Sequence, residues 1–171
     1  SFKYERDNIL KNVDIKINLG NKIAIIGETG SGKTTLIDII SGILKPKTGT
    51  IFYDNKNSKN FNDGILKFGY IPQSPILIGG SLKTNVTFDA DKFDKNHYKK
   101  TLYCSCLENF NKNFKNRLLN NLGESGSKIS GGQKQRISIA RALYCNPQIL
   151  IFDEGTNALD KKTEEKLVRR I

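Results

Sequence analysis

Eight consecutive residues, Gly27-Glu28-Thr29-Gly30-Ser31-Gly32-Lys33-Thr34, constrain this chain more than any other stretch. They fit the phosphate-binding loop pattern of a Gly, four residues, Gly-Lys and then Ser or Thr. Ahead of them, Lys22-Ile23-Ala24-Ile25-Ile26 has the length and branching of a buried strand. Behind them, Thr35-Leu36-Ile37-Asp38-Ile39-Ile40-Ser41-Gly42 reads as a helix stopped by Gly42. Strand, glycine loop and helix form the context in which such a loop works.

The residue types explain the chemistry. Glycines at 27, 30 and 32 let the backbone turn tightly and aim several N–H groups at one point. The positive end of the following helix adds to that field, so the loop is an anion cradle. Lys33 is placed to reach the β- and γ-phosphates as a point charge, and the Thr34 hydroxyl to ligate Mg²⁺.

At 171 residues the chain has the length of one domain with a substantial core. Its apolar runs fall short of the roughly 20 residues that cross a bilayer, and neither terminus reads as a signal or transit peptide. Cys104, Cys106 and Cys145 fit neither a disulfide framework nor a four-ligand zinc site, so reduced thiols in a cytosolic compartment are expected. The formal charge of +11 could serve nucleic acid or an acidic membrane surface. Its carriers are dispersed among asparagines, and aromatics do not interleave with a basic stripe as single-strand binding requires. No nucleic-acid partner is expected.

In chain order, Phe2-Lys3-Tyr4 reads as a strand, Glu5-Arg6-Asp7-Asn8 as a polar turn, and residues 9–17 as an alternating, half-buried strand. Residues 18–21 turn into the strand before the phosphate loop. Lys45-Pro46-Lys47-Thr48-Gly49 is a loop, 50–53 a strand, 54–64 an exposed polar connection, and 67–73 a strand ended by Pro72. Beyond Ser81, the residues Leu82, Val86, Phe88, Tyr98, Leu102, Leu107, Phe110 and Phe114 recur at helical intervals, predicting a helical insert. A further helix follows Ser130-Gly131-Gly132, with Ser130 as N-cap and Asn146-Pro147 as stop. Residues 148–152 form a buried strand ending in Asp153-Glu154. The fold class expected is α/β, a phosphate-loop NTPase core with a mainly parallel sheet, a small antiparallel β region and a helical insert.

Ile129-Ser130-Gly131-Gly132-Gln133, taken with the phosphate loop and Ile149-Leu150-Ile151-Phe152-Asp153-Glu154, closely resembles the ATP-binding cassette (ABC) ATPases. The motifs fall in the family's order across essentially the whole chain. The resemblance implies a single cassette over residues 1–171, with an ATP-binding core at 1–75 and 131–171 and a helical subdomain at 76–130. It implies ATP and Mg²⁺ as cofactors. Tyr4 resembles the aromatic that stacks on adenine, an ordinary strand aromatic being the other reading. Gly27, Glu28, Thr29, Gly30, Ser31, Gly32, Lys33, Thr34 and Thr35 would line the phosphates. Gln73 in Tyr70-Ile71-Pro72-Gln73 resembles the glutamine that senses Mg²⁺ and the attacking water, roles an amide can combine. Thr34, Gln73 and Asp153 would serve the metal, and Glu154 would polarise or deprotonate the hydrolytic water, with Lys33 and Gln73 completing the catalytic set.

Ser130, Gly131, Gly132 and Gln133 would make a second anion site at a helix N-terminus. In the family this corner closes on ATP held by another cassette, identical or different, implying a head-to-tail homo- or heterodimer with two sandwiched ATP molecules. Asn157-Ala158-Leu159-Asp160 matches the loop that crosses the dimer interface, with Asn157 where Ser is usual. Leu122-Gly123-Glu124-Ser125-Gly126 is similar to the Gly-Glu-Arg-Gly segment of exporter cassettes, Ser125 replacing the Arg, and residues 74–86 also have the exporter look. The overall wording is similar to bacterial cassettes that flip lipid-linked saccharides. Transmembrane domains fused on the N-terminal side, at the cytoplasmic face of a membrane, are the implied partners. The alternatives are a soluble ABC ATPase acting on nucleic acid or ribosomes, or an importer subunit. The family's switch histidine has no counterpart here and His97 is expected at the surface, so weak hydrolysis by residues 1–171 alone is the expectation.

Overall fold

A helix buried on two sides sets the architecture of the second half of the chain. Ser130 starts it: its Oγ accepts from Gln133 N–H, and the Gln133 side chain accepts from Ser130 N–H at 2.8 Å, a reciprocal capping box. Good helix formers then carry it over Gly131–Tyr144. One side of this helix, Ile137 and Ala140, packs with Leu77, Leu82, Val86, Leu102 and Leu107. The other, Ile139 and Ala142, packs with Ile71 and Leu167. Ile137, Ile139 and Ala140 are fully buried, each isoleucine contributing about 1.5–3 kcal/mol of hydrophobic stabilisation.

The computed structural model describes residues 2–4, 7–53, 56–57, 67–110, 122–123 and 126–171, the side chains of 3, 4, 7, 8, 53, 56 and 57 excepted. The chain divides into two units, residues 1–65 and 66–171. In the first, β1 (Phe2–Tyr4) pairs antiparallel with β2 (Asp7–Leu10), α1 spans Lys33–Ile40, and β3 (Phe52–Tyr53) pairs antiparallel with β4 (Lys56–Asn57). In the second, β5 (Phe68–Ile71) is followed by α2 (Leu82–Thr87), α3 (Lys95–Cys104), α4 (Gly131–Tyr144), β6 (Ile149–Phe152) and α5 (Lys161–Arg170). Strands β5 and β6 run parallel, with Phe68 opposite Ile149 and Ile71 opposite Phe152. Parallel neighbours put their C-terminal ends side by side, the usual place for a site in such sheets.

Several expectations need correction. Residues 22–26 carry no strand, and Ile23, Ile25 and Ile26 are exposed, Ile26 at 92%. An apolar run encodes a wish for burial, but a strand exists only through a ladder partner, and none pairs with it among the described residues. The strand expected over 9–17 stops at Leu10, and Asp7 and Asn8, read as turn, belong to it. Phe88 leaves the helical stripe: it is the left-handed C-cap of α2 (φ 49°) and is half exposed. Strand β6 is half-buried rather than buried. His97 is also half-buried, with Nε2 3.0 Å from the Tyr144 carbonyl and its ring centroid 5.1 Å from that tyrosine's, tilted by 34°. The expectations for Glu5, Arg6, Phe114, Glu124, Ser125 and most of the 54–64 connection lie outside the described residues.

Arg141 on α4 knots the segment after β5 to that helix. Its Nε donates to the Asn85 carbonyl at 2.9 Å, Nη1 to the Ile76 carbonyl at 2.9 Å, and Nη2 to Asn85 Oδ1 at 3.2 Å. Asn85, fully buried, also donates to the Ile78 and Ser81 carbonyls. Every polar atom of the pair brought inside thus has a partner, as burial demands. Burial lowers the Arg141 pKa, which from so high a starting point leaves the guanidinium charged.

Candidate functional site

The phosphate loop is built by its own short-range contacts. Gly30 and Gly32 sit at φ 83° and 90°, the left-handed region that favours glycine. A side chain at 32 would also meet Ile9 Cγ2 at 2.6 Å and Leu10 Cδ2 at 3.2 Å, so β2 and the loop touch where only a hydrogen fits. A Cβ at Gly27 would lie 2.7 Å from Ser31 Oγ, so the serine hydroxyl would have to turn away. Ser31 N–H donates to the Glu28 carbonyl at 3.2 Å, closing the bend.

Lys33 Nζ donates to the carbonyls of Gly27 and Glu28 at 2.9 and 2.8 Å, which folds the ammonium back over the loop's own mouth. Helix α1 begins at Lys33 with Gly32 as N-cap and no side-chain cap. Its first-turn N–H groups therefore have no capping oxygen and favour an anion. Thr34 is exposed while Thr35 is buried and anchors the turn. Glycine bend, uncapped helix start and folded-back ammonium suit a polyphosphate. The adenine-stacking reading of the Tyr4 side chain lies outside the described residues.

In residues 66–171 the strand ends converge. Asp153 N–H donates to the Ile71 carbonyl at 2.9 Å, extending the β5–β6 ladder by one rung. Beyond it, Gln73 Nε2 donates to Glu154 Oε2 at 2.7 Å across 81 residues of chain. Asn157 Nδ2 donates to the same oxygen at 3.0 Å. Two amides thus hold one carboxylate oxygen, leaving Oε1 for a further partner. Tyr70 OH donates to Asp153 Oδ2 at 2.7 Å, likewise fixing one oxygen of the second acid. Glu154 itself is left-handed, at φ 51°, a conformation uncommon for a residue with a side chain and frequent at working sites. Carboxylate and amide oxygens are the donor types a hard divalent cation takes.

The Ser130 corner is exposed. Gly131 faces open space, and a Cβ on Gly132 would come 2.9 Å from the Ala158 carbonyl. The corner and the Asn157–Asp160 loop are therefore packed edge to edge. Asp160 caps α5 by accepting from Thr163 N–H at 3.0 Å. Thr163 hydrogen bonds hold the Asp160 carboxyl below its ordinary range.

The structure brings together Gln73 with Glu154, and Ser130 with Gln133. Reading the sequence missed Tyr70 on Asp153 and the Asn157 amide on Glu154, since nothing local to either residue announces the contact. The three cysteines are free thiols.

The profile of the family described as "ABC transporter" matches residues 10–157. The chain is 36% identical over 162 residues to ABC transporter B family member 1 of Dictyostelium discoideum, covering 92% of this chain and 18% of that protein. It is 32% identical over 173 residues to the ATP-dependent lipid A-core flippase of Desulfotalea psychrophila, covering 100% of this chain and 30% of that one. Among solved structures, a bacterial Atm1-family ABC exporter with ATP bound superposes with a TM-score of 0.88 at 30% identity, over 99% of this chain and 30% of that one. The chain belongs to the ABC transporter family, with the phosphate-loop NTPase fold. It spans less than a third of the length of these relatives.

Proposed function

We propose that this domain binds ATP with Mg²⁺ and hydrolyses it in a head-to-tail pair of cassettes, powering export or flipping of a substrate by transmembrane domains fused on its N-terminal side. The observation that carries the chemistry is the Glu154 carboxylate, held through one oxygen by Gln73 and Asn157 at the end of a parallel strand. An oriented carboxylate with a free oxygen is what a general base toward water requires.

In this reading Tyr4 stacks on the adenine, and residues Gly27 to Thr35 grip the phosphates, Lys33 as their counter-charge. Thr34, Gln73 and Asp153 hold Mg²⁺, which when bound neutralises charge on the phosphoryl oxygens. Glu154 orients and deprotonates the attacking water. Ser130, Gly131, Gly132 and Gln133 cap the triphosphate bound by the other copy. Residues 1–75 and 131–171 make the ATP-binding core, and 76–130 the helical subdomain. No described helix is long and apolar enough to cross a membrane, so work on a substrate at the cytoplasmic face falls to the fused domains. The names of the exporter and lipid A-core flippase relatives support export and an amphiphilic substrate class.

The dimer is tested by cross-linking. In full-length protein in lipid vesicles with Cys104, Cys106 and Cys145 replaced, Ser31→Cys and Ser130→Cys are introduced together. An ATP-dependent disulfide between copies is expected under mild oxidation. Cross-linking that is absent, or indifferent to ATP, removes the head-to-tail arrangement.

A further inference from the structure

Helix α4 buries two polar side chains among its apolar ones, the small Ser138 and the long Gln135. Gln135 is 1% exposed, at a position that packing alone would fill with leucine or methionine. A buried amide is costly unless both its hydrogens find acceptors. Here Nε2 donates to the Gly155 carbonyl at 2.6 Å and, at 3.4 Å, to the Pro72 carbonyl. Gly155 directly follows Glu154, and Pro72 directly precedes Gln73. A single side-chain amide therefore bridges the backbone beside both members of the 2.7 Å Gln73–Glu154 pair.

The surroundings leave this bridge little play. A Cβ at Gly155 would lie 2.8 Å from Ile71 Cγ2, 3.2 Å from Phe152 Cδ1 and 3.3 Å from Gln135 Nε2. The turn that holds Glu154 at φ 51° is thus seated directly on the helix. We propose that Gln135 is a positioning residue for ATP hydrolysis: its two N–H groups fix the separation of the Gln73 and Glu154 backbones, and so the aim of the Glu154 carboxylate at water. It acts through those two backbone segments. Gln135 lies five residues, about 7.5 Å of helix, from Ser130. The inference rests on the proposed hydrolytic role of Glu154; given the head-to-tail pair, one rigid helix then reads the partner's ATP at its tip and sets its own copy's water at Gln135.

The test is steady-state ATP turnover by the full-length protein in lipid, with three variants. Glu154→Gln is the control for the underlying reading: if it turns over at the parent's rate, the assignment of Glu154 fails independently of Gln135. Gln135→Met keeps length and apolar volume but donates no hydrogen bond. It should lower kcat by about 10- to 100-fold, the scale of a sub-ångström misplacement, with KM for ATP within about twofold. Gln135→Glu should be slow near neutral pH, where a carboxylate faces two carbonyls without a hydrogen to give. Its rate relative to the parent should climb part of the way as pH falls toward about 5.5, because burial favours the protonated carboxyl, whose single O–H can donate to one of the two carbonyls. A Gln135→Met kcat within about twofold of the parent, or a loss shared equally by KM and kcat, overturns the proposal. Should that variant not fold, the Gln135→Glu profile decides, and a flat ratio to the parent over about pH 5.5–8 overturns it equally.

Discussion

The phosphate loop and the Gln73–Glu154 end are held in opposite ways. The loop is made by neighbours in sequence: Lys33 bonds to carbonyls five and six residues back, and Ser31 to Glu28. The carboxylate end is made by distance: Gln73 reaches Glu154 across 81 residues, Tyr70 reaches Asp153 across 83, and Gln135 reaches Pro72 across 63. A local device survives as long as its own few residues keep their conformation. A long-range device exists only once the whole of residues 66–171 has folded around α4. Binding and hydrolysis should therefore be separable by mutation, and by perturbation of the core.

The largest effect should come from the chemistry itself. Glu154→Gln should reduce kcat by about 10² to 10⁴-fold, the usual share of a general base, while leaving ATP affinity intact and accumulating an ATP-bound dimer detectable by size-exclusion chromatography. A proportional fall in affinity would break the separation. Next, Lys33→Ala should weaken ATP binding by about 10²-fold, from losing a charge-assisted contact worth about 3 kcal/mol. Fluorescent-nucleotide titration reads this, and unfolding of residues 66–171 should occur at an unchanged temperature.

Ile137→Ala, at a fully buried site in the cluster that α4 forms with α2 and α3, should destabilise by about 2–5 kcal/mol. In denaturant titration followed by ATPase assay it should abolish hydrolysis before nucleotide binding; simultaneous loss of both would merge the two regions into one cooperative body. The smallest effect concerns α5, which is fastened by charge. Glu108 accepts from Arg170 at 2.9 Å and Lys166 at 3.3 Å. Burial alone would push the Glu108 carboxyl up, but a backbone N–H and Arg170 outweigh it and hold the group low. Asp160 is held low as well, by Thr163. A carboxyl depressed in the fold stabilises above its unfolded pKa, and that contribution fades as pH drops through the lowered folded value, at the acid edge of the ordinary carboxylate range. Glu108→Gln should cost at most about 1 kcal/mol at neutral pH, and the difference from the parent in thermal melts should vanish in acid.

How much of this could be read from the residues follows the same division. Gly27–Thr34 announces itself because its glycines, lysine and threonine are contiguous and each answers a local need. Ser130 with Gln133 is equally local, one capping box within four residues. The run Lys22–Ile26 misled because apolarity does not name a ladder partner. Helix α5 is hard to read because Leu167 is its one buried residue and eight of its ten positions are polar, as in a loop, until Asp160 is seen to cap it. Gln135 looked like one more polar helix residue, since the carbonyls that give it meaning stand 20 and 63 positions away.

The 2.9 Å approach that a Cβ on Gly132 would make to the Ala158 carbonyl has a mechanical corollary. Two surface segments with that little clearance cannot slide past one another, so the tip of α4 and the Asn157–Asp160 loop must travel as a single lip. A bulky adduct introduced at exposed Ala158 would load that lip as a whole, at the segment that packs on Gly132.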